Sequence, residues 1–177
     1  YFISLIEDSF FDSLKIIRIS GGEPFLDNNF QNLLNQVSAK PNIEQIHIST
    51  GLNFNIRLLE NFIQNSTDLS KVVIRISCEA IGPLHSFIRW GQDWNKWQTN
   101  FEYIKQKLPN QYIIKPTLNN LSMPGIVEFL QTYRDEKFEI SIVSEPHFLS
   151  PTVLPKNIKQ KILQDIQTIQ SLSLIHI

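Results

Sequence analysis

With 177 residues, 42% of them apolar and 19% charged, the chain is long enough for one domain with a real core and ordinary in composition for a globular protein. A formal net charge of −1, with no Lys/Arg stripe, lacks the footprint of a nucleic-acid binder, and no apolar run approaches the roughly 20 residues of a membrane helix. Cys78 is the single cysteine, which excludes an internal disulfide and points to a reducing compartment, so a cytoplasmic protein is expected.

The chain opens on Tyr1 with no signal-peptide pattern and stops at SLSLIHI without a polar tail. It reads as a fragment, or as a gene product clipped at one or both ends. An aromatic-rich segment, Tyr1–Phe11, is expected to be helical, and the first strand to cover Ile16–Ile19. A helix follows, with Asp27 or Asn28 placed to cap it and Phe30, Leu33, Leu34 and Val37 at helical spacing. Gln45–Ser49 is the second strand. The next helix starts near Asn55 and buries Ile56, Leu59, Phe62 and Ile63.

Lys71–Ser77 is β-branched and almost continuously apolar, as a strand covered on both faces should be. Asp93 can cap the clearest helix, where Trp94, Trp97, Phe101, Ile104 and Leu108 recur every three or four residues. Trp94 and Trp97 on that apolar face predict core packing, not a stacking platform. Gln111–Lys115 is the fourth strand, followed by a helix with Ser122 as cap, Pro124 in its first turn and Ile126, Phe129, Leu130 and Tyr133 on one face. Phe138–Val143 is the fifth strand. A loop with Pro146, Pro151 and Pro155 leads to a last helix lined by Ile158, Ile162, Ile166 and Ile169.

Five strand–helix units without a hairpin signal imply right-handed crossovers and a parallel sheet, hence an α/β fold. An open doubly wound sheet and part of a barrel both satisfy the pattern. In both, ligands bind at the carboxyl ends of the strands. Each apolar run is followed there by small or polar residues: Ser20 to Glu23, Ser49 to Gly51, Ser77 and Glu79, Asn119 and Asn120, Ser144 and Glu145. Polar strand ends are also what solvent-facing loops require, so most of these residues carry no functional weight singly.

The first end carries more. Gly21 and Gly22 lack Cβ atoms, so a ligand can approach the backbone, and Glu23 offers a carboxylate suited to an ammonium. Pro24 biases Glu23 towards an extended conformation and so aims it. The spacing is not that of a phosphate loop, and an acid at its centre would repel phosphate. Glu145-Pro146 repeats the acid–proline pair at another strand end, where a substrate contact and a helix cap are equally good readings. His47 alternates outward between Ile46 and Ile48 and reads as structural. His47, His85, His147 and His176 have no metal-ligand spacing, and Cys78 reads as a small buried hydrophobe, so no metal site is expected within this chain.

IIRISGGEPFLDN resembles the second strand and following loop of radical S-adenosylmethionine (radical SAM) enzymes, whose GGEP motif holds the amino group of the methionine moiety. Four further segments resemble that family in order: IHISTG, VIRISCEAIGPLHSFIRWGQDWNKWQTNFEYI, TLNNLSMPGIVEFL and VSEPHFLSPTVLP, the last similar to the exit of the sixth strand in proteins with a twitch-type (SPASM-like) C-terminal region. The likeness spans about residues 14–156. It implies a partial (β/α)6 TIM-like barrel lacking its first strand.

Carried over by position, the resemblance implies that Gly21, Gly22, Glu23 and Pro24 hold the methionine end of S-adenosylmethionine. Thr50 falls near the cofactor, Ser77 and Glu79 where the family contacts ribose or carboxylate, Arg89 where an arginine joins them, and Asn119 near the adenine. Glu79 stands where aspartate is usual, and STG where TNG is usual. The family's CxxxCxxC motif, which holds a [4Fe–4S] cluster, is absent from the chain and is expected upstream of Tyr1. The implied activity is reductive cleavage of S-adenosylmethionine to a 5′-deoxyadenosyl radical that abstracts hydrogen from a substrate, with an electron donor and a peptide or protein substrate as partners. This chain alone is expected to be inactive. A cluster-free small-molecule-binding module on the same strands, and an unrelated doubly wound protein in which GGEP is only a turn, are the competing readings.

Overall fold

The computed structural model describes Phe11 and residues 13–172, the side chains only as far as residue 168. Most of the expected helix over Tyr1–Phe11, the Ile169 side chain and His176 lie outside the described residues. In chain order the elements are β1 (Ile16–Ile19), a 3-10 turn (Pro24–Leu26), α1 (Phe30–Ser38), β2 (Gln45–Thr50), α2 (Arg57–Asn65), β3 (Val72–Ser77), α3 (Gly82–Ile88), α4 (Trp94–Lys107), β4 (Tyr112–Lys115), β5 (Thr117–Leu118), α5 (Ile126–Thr132), β6 (Ser141–Ile142) and α6 (Lys156–Leu172). Strands and helices alternate, and the described strands form one four-stranded sheet in the order β1-β2-β3-β4 and a two-stranded sheet, β5-β6. The protein is therefore α/β with parallel strands, and the sheet is open, not closed on itself.

The chain divides into two compact units, Tyr1–Ile76 with Asn95–Ile113, and Ser77–Trp94 with Ile114–Ile177. In the first unit β1 pairs in parallel with β2, Ile17 opposite Ile46 and Ile19 opposite Ile48, and β2 pairs with β3, Ile48 opposite Ile74. Ile46, Ile48, Val72, Ile74 and Ile76 are all sealed from solvent. Alternate residues of one strand share a face, so these five form one apolar face of the sheet. Leu34 and Val37 of α1 and Leu59 and Phe62 of α2 are buried as well. At roughly 25 cal/mol per Å² of apolar surface removed from water, such residues supply the main favourable term in folding. Trp97 and Phe101 of α4 are also buried, with their rings stacked 4.9 Å apart.

The other sheet face carries a buried polar pair. Arg75, 4% exposed, donates from Nη1 to His47 Nδ1 at 3.1 Å. Arginine has no acceptor, so His47 Nδ1 accepts and its Nε2–H donates to Gln45 Oε1 at 2.9 Å. His47 is thus a structural histidine, as its alternation predicts.

The second unit contains β5 and β6, which pair in parallel, Thr117 opposite Ser141 and Leu118 opposite Ile142, with an isolated bridge between Ile114 and Phe138. Phe129 packs against Tyr133 and Phe138 at 5.3 and 5.7 Å. Ile162 of α6 is buried, whereas Ile158 is 39% exposed.

Several boundaries differ from the sequence expectations for local reasons. Neither Asp27 nor Asn28 caps α1. Asp27 Oδ1 accepts from Asn29 N at 2.7 Å in a tight turn, and Asn29 occupies the cap position. Ser122 does not cap α5 but turns back on Asn119, accepting from its N–H at 2.9 Å. The fifth expected strand shortens from Phe138–Val143 to Ser141–Ile142, and the short strand β5 and helix α3 are additions. Trp94 is half-buried against His85, ring centres 5.1 Å apart, and so is not part of the Trp97–Phe101 stack.

Candidate functional site

In the first unit, β1 ends at Ile19 and the backbone turns through two residues at positive φ, Gly21 at 103° and Gly22 at 55°. A side chain is strained in that region, which explains the double glycine. An added Cβ at either position would meet no atom within 4 Å, so the space over this backbone is open. Glu23 then adopts φ −130°, ψ 105°, the extended conformation that the following proline favours. Pro24 and Phe25 are buried, and Phe25 sits among Phe30, Phe54 and Phe62 with ring centres 4.9 to 5.2 Å away. That aromatic anchor fixes the backbone just beyond the carboxylate.

The Glu23 carboxylate is held by the end of β2. Thr50 Oγ1 lies 2.8 and 2.9 Å from its two oxygens and donates to them, and Gly51 N–H donates to Oε2 at 3.0 Å. Leu52 N–H donates in turn to Thr50 Oγ1 at 3.0 Å, which leaves the hydroxyl proton aimed at Glu23. Burial pushes the Glu23 carboxyl above the ordinary value of 4.5, and the bonds from Thr50 and Gly51 offset that only in part. The result is a desolvated carboxylate that is oriented by neutral donors. A cation is the partner that would most stabilise its charged form.

The turn that presents these donors is itself clamped. Leu52 is fully buried at φ 58°, unusual for a residue with a branched side chain. Asn100, on α4 and 1% exposed, donates from Nδ2 to both Leu52 O and Phe54 O at 2.9 Å. Asn100 is a functional candidate that the strand-end reading missed. Its signal was a polar residue set between Trp97, Phe101 and Ile104 on an apolar helix face.

In the second unit, Glu79 is 3% exposed and binds Arg89 as a fork: Arg89 Nε donates to Oε2 and Nη2 to Oε1, both at 2.5 Å. Thr117 N–H adds a third donor to Oε1 at 3.3 Å. Cys78, beside it, is fully buried. Its Sγ lies 3.2 Å from Ala80 O and 3.6 Å from His85 Nδ1, and His85 Nε2–H donates to Gln92 Oε1 at 2.9 Å. Burial raises the Cys78 thiol far above its normal value, with the Glu79 charge adding to it, so this cysteine is inert. Burial likewise lowers His85 below 6.5, keeping the imidazole neutral.

The nine residues expected at the cofactor therefore fall in two places. Gly21, Gly22, Glu23, Pro24 and Thr50 form one cluster in the first unit. Glu79 and Arg89 form a pair in the second, where half-buried Ser77 ends β3. Asn119 is largely absorbed by its own turn: Oδ1 accepts from Leu121 N at 3.0 Å and Ser122 N at 3.1 Å. Ser144 and Glu145 are exposed, and Trp90 is 94% exposed. No three of His, Cys, Asp and Glu gather to hold a metal among the described residues. Nor is any described helix long and apolar enough to cross a membrane.

Fold and site together define an α/β protein whose parallel strands end in an oriented, partly buried carboxylate. Comparison with protein-family models and with curated proteins finds no match for this chain.

Proposed function

We propose that this chain is the S-adenosylmethionine-binding part of a radical SAM enzyme, folded as a portion of a (β/α)6 barrel. The observation that carries the proposal is the Glu23 carboxylate, held by Thr50 and Gly51 beside the bare backbone of Gly21 and Gly22. It has the chemistry of a receptor for an α-ammonium group: acceptor atoms already aimed, partial burial that strengthens a charge-assisted bond, and open space above the glycines. Pro24 keeps the acid extended. By the resemblance alone, and not by any geometry between the two units, Arg89 is proposed for the ligand's carboxylate, Ser77 for its ribose and Asn119 for its adenine.

The residues of this chain fit S-adenosylmethionine and do not fit an iron–sulfur cluster, because Cys78 is single, buried and protonated. The cluster's thiolates are proposed for a segment preceding Tyr1. In the family, reductive cleavage of S-adenosylmethionine supplies a radical that abstracts hydrogen from a substrate, here proposed to be a peptide or protein, with electrons from a separate donor. This chain's part is to bind, orient and keep water from the methionine end.

Calorimetric titration of the chain with S-adenosylmethionine tests the binding. Charge-assisted bonds worth about 1.5–3 kcal/mol predict roughly 10- to 100-fold weaker binding by Glu23→Ala. Equal affinity would remove Glu23 from the role. The protein with its encoded upstream segment, loaded anaerobically with iron and sulfide and reduced, should then release 5′-deoxyadenosine.

The Glu23 carboxylate is a receptor for any ammonium and so also suits a second reading, a cluster-free module that binds a small amine-bearing molecule. Tight S-adenosylmethionine binding with no 5′-deoxyadenosine from the extended, iron-loaded protein would select it.

A further inference from the structure

Glu79 and Arg89 stand ten residues apart in sequence, and both fall at positions where a direct ligand contact is expected. Their surroundings are unequal. The Glu79 side chain is 4% exposed and that of Arg89 26%. Both Glu79 oxygens are engaged, Oε2 by Arg89 Nε and Oε1 by Arg89 Nη2 and the Thr117 N–H. Three donors already hold this carboxylate, and at 4% exposure the one acceptor position left on Oε2 is closed to a ligand hydroxyl or ammonium. Arg89 keeps more: the fork occupies Nε and Nη2, so Nη1 is the guanidinium nitrogen left for a second partner.

The chain between them is built to bring the arginine back. Gly82, at φ 56°, opens α3 with Pro83 beside it in the first turn, and the helix stops at Ile88. Arg89 N–H closes the last turn on His85 O at 2.9 Å, and His85 is fixed through Gln92. A guanidinium on a flexible stem loses rotamer entropy when it binds an anion, and a fork that immobilises it beforehand removes that cost from binding.

We infer that Glu79 is a positioning residue, and that its buried fork holds Arg89 so that Nη1 meets the carboxylate of an amino-acid-bearing ligand. This rests on the S-adenosylmethionine reading above, in which Arg89 touches the ligand and Glu79 acts only through it.

The test compares affinities for S-adenosylmethionine and for its decarboxylated analogue, which keeps the ammonium and lacks the carboxylate. The ratio of the two reports the Arg89 contact, and a variant that merely loosens the fold leaves that ratio unchanged. Arg89→Ala is expected to reduce the ratio at least tenfold, and Glu79→Gln to reduce it nearly as far. Glu79→Asp, which keeps the charge but withdraws the carboxylate by one methylene, should fall between and decides the matter if Glu79→Gln does not fold. An unchanged ratio in Arg89→Ala, or no S-adenosylmethionine binding by the unaltered chain, overturns the underlying reading and this inference with it. A reduced ratio in Arg89→Ala with an unchanged ratio in the foldable Glu79 variants overturns the inference alone.

Discussion

Thr50 Oγ1 donates to the Glu23 carboxylate across 27 residues of chain, within 2.8 and 2.9 Å of its two oxygens. Thr50 is 2% exposed and terminates β2, so the hydroxyl reaches Glu23 only because β1 and β2 lie side by side in register. Thr50→Val keeps the shape and removes the donor. It should cost about 1 kcal/mol in urea unfolding and raise the Glu23 pKa further, since one of the bonds favouring the charged form is gone.

Glu23 also sets a pH dependence. Its folded pKa is raised by burial, so the folded chain holds the proton more tightly than the unfolded chain does. The stabilising contribution is therefore complete below pH 4.5 and is lost as pH rises through the folded value. Thermal unfolding of Glu23→Gln should lack that decline. Cation binding runs the other way: S-adenosylmethionine affinity should fall on acidification, beginning above pH 4.5. Affinity independent of pH over this window would argue against an ionised Glu23 at the ligand.

Asn100 ties α4 to the turn after β2 through two carbonyls. Asn100→Ala leaves both acceptors buried without their donor and should destabilise by about 2–3 kcal/mol. Because Leu52 N–H orients Thr50, the same substitution should also weaken S-adenosylmethionine binding. Asn100→Asp, which faces those carbonyls with a charge, should be worse than alanine in both assays.

In the second unit, His85 is buried as a neutral ring with its pKa lowered by that burial. Its contribution to stability is complete above pH 6.5 and is lost as pH falls through the folded value. Thermal unfolding between pH 5 and 7.5 should show that loss, and His85→Asn should remove it. An imidazole titrating at 6.5 in the folded protein, followed by NMR, would contradict the assignment.

The helices and strands were legible where one period dominated. The spacing in α1 and α2 put Leu34, Val37, Leu59 and Phe62 inside, and the almost continuously apolar run of β3, broken by Arg75, marked a largely buried strand. Legibility failed where the chain is short and locally polar. Nothing periodic announces a helix in GPLHSFI or a strand in Thr117–Leu118, because seven and two residues hold too few repeats. Trp90, Trp94 and Trp97 show the same limit: they share a sequence neighbourhood, yet one is exposed, one half-buried and one sealed.

At the candidate site, sequence alone determined what is local. A double glycine leaves the backbone bare and permits positive φ, and a proline after Glu23 biases the acid towards an extended conformation, because both effects act through neighbouring atoms of one backbone. Tertiary structure decided the partners. Thr50 for Glu23, Asn100 for Leu52 and Arg89 for Glu79 come from residues 10 to 48 positions away, brought together by strand register and helix packing. Hydrogen bonds need their partners within about 3 Å. Residue identity names the groups able to form them, and only the folded chain places those groups at that distance.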